Sequence, residues 1–238
     1  MPPIGMVEGK KPEIERMFDA IAPKYDLLNR VLSGGIDQVW RKKVVKLVLE
    51  KTPLQVLDVA TGTADLALMA AQSGIPNVVG VDISEEMLAV GRKKVIAKYQ
   101  SNRVELKTGD AEALPFPDQQ FDVAMVAFGV RNFEDLDKGL GEMNRVLKKG
   151  GRIVVLEFSK PSAFPIKQLY SAYNRYLLPA IGKLVSGDQS AYTYLPESIA
   201  VFPEGEAFLG HLAKAGFTSV RDIRLTFGVA SIYIGERS

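Results

Sequence analysis

The 238-residue sequence predicts an α/β fold, a mostly parallel sheet with helices on both faces. Three observations carry that prediction. From Gln55 to Ser159, short apolar runs alternate with stretches of helical periodicity. Several of the apolar runs stop at a small or acidic residue, where a turn begins. Apolar residues make up 47% and charged residues 24%, an ordinary globular balance in a chain long enough to bury a sizeable core.

The opening section reads as helices. Ile14, Met17, Phe18 and Ile21 share one helical face until Pro23 interrupts, and "KYDLLNRVLSGG" stops at a glycine pair. "DQVWRKKVVKLVLEK" sets Trp40, Val44, Leu47 and Val48 on one stripe, with Asp37 as a plausible N-cap. The first strand is "QVLDVA", followed by a helix closed by Gly74. Then come the strand "NVVGVD", the helix "EEMLAVGRKKVIAKY" and the strand "VELKTGD". "FDVAMVAFG" is a fourth strand, "DLDKGLGEMNRVLKKGG" a helix with a glycine C-cap, and "RIVVLEFS" a fifth strand. "GEAFLGHLAKAGF" is a late helix, and "VRDIRLTFGVASIYIGER" gives one or two final strands, with a hairpin through Phe227–Gly228 as one option. The division expected is one domain over 1–238. It has an N-terminal helical lid (1–52), a binding core (53–160), an insertion where the rhythm stops (161–203) and a C-terminal helix with strands (204–238).

Composition excludes several classes. Net charge is only +2 with no Lys/Arg block, so nucleic-acid binding is not expected. There are no cysteines, which removes disulfides and thiolate metal sites, and with one histidine, His211, no metal is expected. No apolar run approaches a membrane span, and the charged N-terminus has no signal-peptide core; the default is a soluble cytoplasmic protein. For His211 a surface role is expected.

In a doubly wound sheet, ligands bind beyond the carboxyl ends of the strands. After the first strand comes Asp58-Val-Ala-Thr-Gly-Thr-Ala-Asp65, where Gly62 permits close approach to the backbone and Thr63 adds a hydroxyl at a helix start. Asp82, about 20 residues on, is placed to accept both hydroxyls of a ribose. Asp110 and Ala111 after the third strand suit an adenine amino group and ring nitrogen. The competing assignments are plain: a tight turn at Gly62, an N-cap at Asp82 that Ser84 also serves, a loop turn at Asp110. Neither the G-x-G-x-x-G fingerprint nor a phosphate loop is present, so a ligand with ribose and adenine but no phosphate, such as S-adenosylmethionine, fits better.

"VLDVATGTADLA", "VDIS", "GDAEALPFPDQQFD", "FGVRNFED", "EMNRVLKKGGRIVVLEFSKP" and "YTYLPESIAVFP" together resemble the ubiquinone/menaquinone-biosynthesis C-methyltransferases. The resemblance runs from Phe18 to the C-terminus, and its last stretches are more specific than its first three motifs. It implies the class I S-adenosylmethionine-dependent methyltransferase fold, with seven strands and the last antiparallel. It also implies S-adenosylmethionine as donor and a polyprenylated quinol as acceptor, demethylmenaquinol before a ubiquinone precursor. Cofactor contacts carry over to Asp58, Gly62, Thr63, Asp82, Asp110 and Ala111. Ala60 and Ala64 depart from the glycines common in that loop, and Ala127 stands where some relatives carry serine.

The same resemblance puts the end of the fourth strand beside the methyl group. Ring-carbon methylation needs a phenolate, and a phenol's pKa is about 10, so the anion must be stabilised. Arg131 has the donor fork for this, Asn132 suits the second ring oxygen, and Tyr25 ranks first as an oriented partner of the quinol oxygen. Water held by Arg131 and Glu157 are other proton acceptors, though Glu157 reads mainly as structural. The competing reading pairs Arg131 with Glu134, Asp135 or Asp137. Tyr192, Tyr194 and Ser198 are expected in the substrate wall. In residues 164–185, Ile166, Leu169, Tyr170 and Tyr173 form a stripe opposite Lys167 and Arg175, a basic amphipathic pattern that suits either a membrane surface at the inner face or simple packing. A homodimer is left open.

Overall fold

The computed structural model describes residues 9–173 and 190–238, with Lys10 and residues 190–193 described by their backbone alone. Three helices come first: α1 (Lys10–Ile21), α2 (Tyr25–Ser33) and α3 (Ile36–Leu49). The core then alternates β1 (Gln55–Val59), α4 (Asp65–Gln72), β2 (Asn77–Asp82), α5 (Glu85–Ala97), β3 (Val104–Thr108), β4 (Phe121–Ala127), α6 (Leu136–Val146) and β5 (Leu147–Phe158). After α7 (Ile166–Ala172) the described chain continues with α8 (Ser190–Val201), α9 (Glu206–Lys214), β6 (Phe217–Leu225) and β7 (Ala230–Arg237).

One seven-stranded sheet results, in the order β3-β2-β1-β4-β5-β7-β6. The pairs β3–β2, β2–β1, β1–β4 and β4–β5 are parallel, and β7 runs antiparallel to both β5 and β6. The central strands are apolar on both faces because helices cover both. On one face Trp40, Val44 and Val48 of α3 pack with Leu66 and Ala67 of α4. On the other, Leu140 and Met143 of α6 meet Phe208 and Leu212 of α9. Each fully buried Val, Leu, Met or Phe among them contributes about 1.5–3 kcal/mol. Strand order reverses between β1 and β4, so their carboxyl ends open a crevice there.

Local chemistry sets the helix ends. At the stop of α2, Gly34 and Gly35 both take left-handed φ (59° and 81°), and the Gly35 N–H donates to the Arg30 carbonyl. Asp37 is not the N-cap of α3, which is Gly35; it is the second residue of the helix, buried, and accepts from the Ser33 hydroxyl at 2.8 Å. Ser84, not Asp82, caps α5, accepting from the Met87 N–H at 3.1 Å. The helix α6 ends at Val146 rather than at the glycine pair, because Leu147 already pairs with Phe121 in the sheet and Gly150 (φ 72°) bends the strand.

The N-terminal helices are tied to the core by ion pairs. Lys94 of α5 reaches Asp26 of α2 at 2.7 Å and also pairs with Asp65 of α4; Arg30 reaches Asp65 at 2.8 Å and pairs with Asp37. The Tyr173 hydroxyl at the end of α7 donates to the Leu32 carbonyl at 2.6 Å, fixing α7 on α2. The basic stretch beyond Tyr173, with Arg175 and Lys183, and the side chain of Tyr192 lie outside the described residues.

Candidate active site

Two cavities meet above the carboxyl ends of the parallel strands. The smaller, about 90 Å³, is lined by Ala60 and Gly62 after β1, Asp82 at the end of β2, Asp110 and Ala111 after β3, and Gly129 and Asn132 after β4. Helix α1 covers it with Lys11, Ile14 and Phe18. The larger, about 270 Å³, lies under the lid and is walled by apolar and aromatic side chains such as Leu28, Trp40, Phe158 and Tyr194. Phe18, Tyr25 and Phe128 border both cavities.

In the smaller cavity Asp82 is the central acid. Its Oδ2 accepts the Gly62 N–H at 2.7 Å and its Oδ1 the Ser84 N–H at 2.9 Å, so one carboxylate fixes two loops. Each oxygen keeps a second lone pair for a ribose hydroxyl. Burial pushes the Asp82 carboxyl up, against those N–H donors, which pull it down. Asp110 accepts from Lys11 Nζ at 2.7 Å and from the Glu112 N–H at 2.9 Å. Burial raises its pKa, but the Lys11 bond, the Glu112 N–H and the nearby lysine charges together outweigh burial and leave it below the usual range.

Asp58 and Thr63 line neither cavity; both act behind the loop. Asp58 is fully buried and accepts the Thr61 hydroxyl at 2.7 Å, and burial lifts it to about 7. The Thr63 hydroxyl donates to Asp26 at 2.6 Å, joining the loop to the lid. Ala60 and Ala64 hold the loop in left-handed φ (51° and 64°), the region glycine prefers. The crevice thus offers an acid for vicinal hydroxyls, an acid and a backbone edge at Ala111, and apolar side chains Ile83, Met87 and Phe133 for a flat base. An adenosyl group fits that set.

Phe128 ends β4 with φ 62°, strained for a bulky residue, and turns the chain into the short helix Val130–Asn132. That turn carries Arg131 into the larger cavity and Asn132 into the smaller. Arg131 Nη1 donates to Glu157 Oε1 at 2.8 Å and to the Phe128 carbonyl, and its Nε to the Ser198 hydroxyl at 3.3 Å. Among the described residues, Nη2 has no partner. Glu157, fully buried on β5, also accepts the Arg131 and Phe158 backbone N–H groups; burial raises its pKa and Arg131 opposes the rise.

The partner of Arg131 is therefore neither Glu134, Asp135 nor Asp137. Glu112 accepts the backbone N–H groups of Glu134 and Asp135, and Asp137 pairs with Lys214 and His211 on the surface side of α9. Tyr194 lines the larger cavity and its hydroxyl donates to Asn132 Oδ1 at 2.8 Å, so it bridges the two cavities. Burial pushes that hydroxyl to about 12, which keeps it a donor. Ser198 stands behind the wall and holds Arg131 instead of lining the cavity. Tyr25 borders both cavities, one ring carbon 3.9 Å from where a Cβ on Gly62 would lie. Sequence reading did not single out Arg41, Phe128 or Phe158; the first lies within a run of cations, and the two rings within apolar runs.

Among the described residues, no group of three or more His, Cys, Asp or Glu side chains is placed to hold a metal, and no helix is long and apolar enough to cross a membrane.

A sequence model described as the ubiE/COQ5 methyltransferase family matches residues 6–237. The chain is 51% identical over 222 residues to a demethylmenaquinone methyltransferase of Thermus thermophilus, covering 93% of this chain and 100% of that one. It is 48% identical over 232 residues to a demethylmenaquinone methyltransferase of Bacteroides fragilis (97% and 95% covered). It is 47% identical over 230 residues to the ubiquinone/menaquinone biosynthesis C-methyltransferase UbiE of Geobacter sulfurreducens (96% and 90%). Among solved structures, the cyclase SpnF superposes with a TM-score of 0.64 at 21% identity, covering 94% of this chain and 95% of that one. An O-methyltransferase family protein of Burkholderia thailandensis gives 0.63 at 16% identity (89% and 58%). At such identities the structures establish a common fold and no common reaction.

Proposed function

Since the chain belongs to the ubiE/COQ5 methyltransferase family, we propose that it transfers a methyl group from S-adenosylmethionine to a ring carbon of a polyprenylated quinol, demethylmenaquinol in the first instance. One observation carries this reading: an aromatic cavity of about 270 Å³ meets the nucleoside-shaped crevice at Phe18, Tyr25 and Phe128, and a guanidinium is set into its wall.

Asp82, Asp110 and the loop from Ala60 to Gly62 hold the adenosyl group, which supplies an electrophilic methyl on sulfur. Arg131 does the matching work on the acceptor. Its ion pair with Glu157 fixes the guanidinium and leaves Nη2 for a quinol oxygen. A fixed cation in a dry site stabilises the phenolate, and each such donor is worth about 3–4 kcal/mol. Electron density then builds on the adjacent ring carbon, which takes the methyl as the S–CH₃ bond breaks and the sulfonium becomes a neutral thioether; the ring hydrogen leaves as a proton to water held by Arg131, and aromaticity returns. Asn132, held by Tyr194, and Tyr25 keep the ring facing the smaller cavity. Near-attack positioning supplies much of the remaining acceleration.

The isoprenoid tail requires an apolar route. Leu27 and Val31 of α2, and Phe164 and Leu169 at α7, are exposed, and Tyr173 ties α7 to α2. This face supports docking of the protein on a lipid surface at the cavity mouth. Liposome flotation of the protein with Phe164→Ser and Leu169→Ser checks it: the substituted protein is expected to stay in the soluble fraction, and equal flotation removes the claim.

The reaction is tested by mixing methyl-labelled S-adenosylmethionine with a reduced, prenylated naphthoquinol lacking the ring methyl, and separately with the benzoquinol counterpart. Label on ring carbon of the naphthoquinol is expected. Label on oxygen, or none while the donor binds, overturns the reading; transfer to the benzoquinol alone moves the substrate to the ubiquinone series.

A further inference from the structure

Arg41 on α3 lines the larger cavity and is only 6% exposed. Among the described residues its guanidinium takes part in no hydrogen bond, and its Nε is buried without a partner. The nearest acid, Asp37, stands 3.7 Å from that Nε, too far for a hydrogen bond. Asp37 is already engaged by Arg30, by the Ser33 hydroxyl at 2.8 Å and by the Gln38 amide at 3.0 Å. A buried cation with empty donors is costly to keep, and arginine cannot shed its proton to escape the cost.

The position of Arg41 relative to Arg131 suggests what fills those donors. Arg41 Cζ lies 5.4 Å from the centroid of the Phe128 ring, and Arg131 Cζ lies 5.5 Å from that of Phe158. The two rings are themselves 4.5 Å apart and tilted by 30°. Two guanidiniums thus border one aromatic pair, and all four side chains line the same cavity. A planar ring lying against that pair has one cation beside each of the two rings it covers. Asn132, by contrast, faces the smaller cavity and already accepts from Tyr194.

We propose that Arg41 binds the substrate oxygen para to the one held by Arg131, so that the site selects 1,4-dioxygenated aromatic rings over singly hydroxylated ones. The inference rests on the quinol reading above. A site built to bond a substrate hydroxyl discriminates against the ring lacking it, because its own buried donor is then left empty.

The test is calorimetric binding of reduced 1,4-dihydroxynaphthalene and of 1-naphthol, with S-adenosylhomocysteine present, to the native protein and to Arg41→Gln. The native protein is expected to prefer the diol by roughly 10- to 100-fold. Arg41→Gln is expected to lose that preference, chiefly through weaker binding of the diol. Arg41 also lowers the pKa values of Asp58 and Asp65, so thermal unfolding of the variant is recorded alongside. Should Arg41→Gln fail to fold, Arg41→Lys keeps the charge without the planar fork and is expected to cut the preference several-fold. A native protein without preference, or a folded variant that keeps the full preference, overturns the inference while leaving ring methylation intact. A native protein that binds neither ring and methylates no quinol carbon overturns the quinol reading itself.

Discussion

The methyl of Ala60 packs directly against the bare Cα of Gly129 in the wall of the cofactor crevice: a Cβ placed on Gly129 would stand 2.6 Å from the Ala60 Cβ. The loop after β1 keeps an alanine in left-handed φ, and the turn after β4 accommodates it by being glycine. Gly129→Ala is therefore expected to lose about 1–3 kcal/mol by overpacking. Ala60→Gly in the same chain should recover part of it, the remainder being the 3.0 Å approach to Val126 Cγ2. Urea unfolding of the two single variants and the pair measures the coupling; strictly additive effects refute the contact.

Arg131 and Glu157 form a buried pair, so stability and catalysis must be separated when either is changed. Arg131→Ala leaves the Glu157 carboxylate alone in the core, a loss of about 3–5 kcal/mol. Adding Glu157→Gln should return much of that stability. Turnover should not return: kcat is expected to stay about 100-fold or more below native, with donor affinity little changed. Single-turnover rates beside donor titration decide this, and a stable double variant with near-native kcat takes Arg131 out of the reaction.

The sheet was legible because β1, β2 and β4 are continuous apolar runs, a pattern set by helices on both faces and visible locally. Asp82, Asp110 and Ala111 were legible as residues after strand ends, and all three line the crevice. What escaped depends on long-range placement. Glu157 lies 26 residues from Arg131 and Ser198 lies 67, so no local spacing announces that they hold its guanidinium. Arg41 reads as one cation in "WRKK", and only the packing of α3 against the sheet and α2 makes it the buried one. Asp58 followed the strand-end rule yet points behind the loop, because Thr61 turns its hydroxyl inward to meet it. The end of α6 was misplaced for the same kind of reason: Leu147 is claimed by Phe121 across the sheet, which the glycine pair does not reveal.

Asp58 gives the stability a pH dependence of definite sign. Burial lifts its pKa from 3.8 to about 7, against the Thr61 bond and Arg41. Between those values the folded chain keeps a proton that the unfolded chain has released, so this group's contribution falls as pH rises from about 4 to about 7 and is level above. At ~1.4 kcal/mol per pKa unit the change is on the order of 4 kcal/mol. Asp58→Asn removes the titration, and its stability should fall less steeply over that window. Parallel unfolding curves for the two proteins at every pH contradict the assignment.

Tyr194 joins the two cavities through one hydrogen bond, its hydroxyl donating to Asn132 Oδ1 at 2.8 Å. Burial holds that hydroxyl near 12, so the bond persists across the working pH range. Tyr194→Phe keeps the ring in the wall and removes this donor, leaving a partly buried amide oxygen unsatisfied. Such a loss costs about 1–3 kcal/mol. Because Asn132 lines the smaller cavity while the ring of Tyr194 lines the larger, the cost should fall on the complex in which both are filled. Donor binding in the absence of acceptor is then expected to be near native, and kcat/KM for the quinol to drop about 5- to 100-fold. An equal loss in donor binding alone shows that Tyr194 merely shapes the smaller cavity, and unchanged kcat/KM shows that the bond does not link the two.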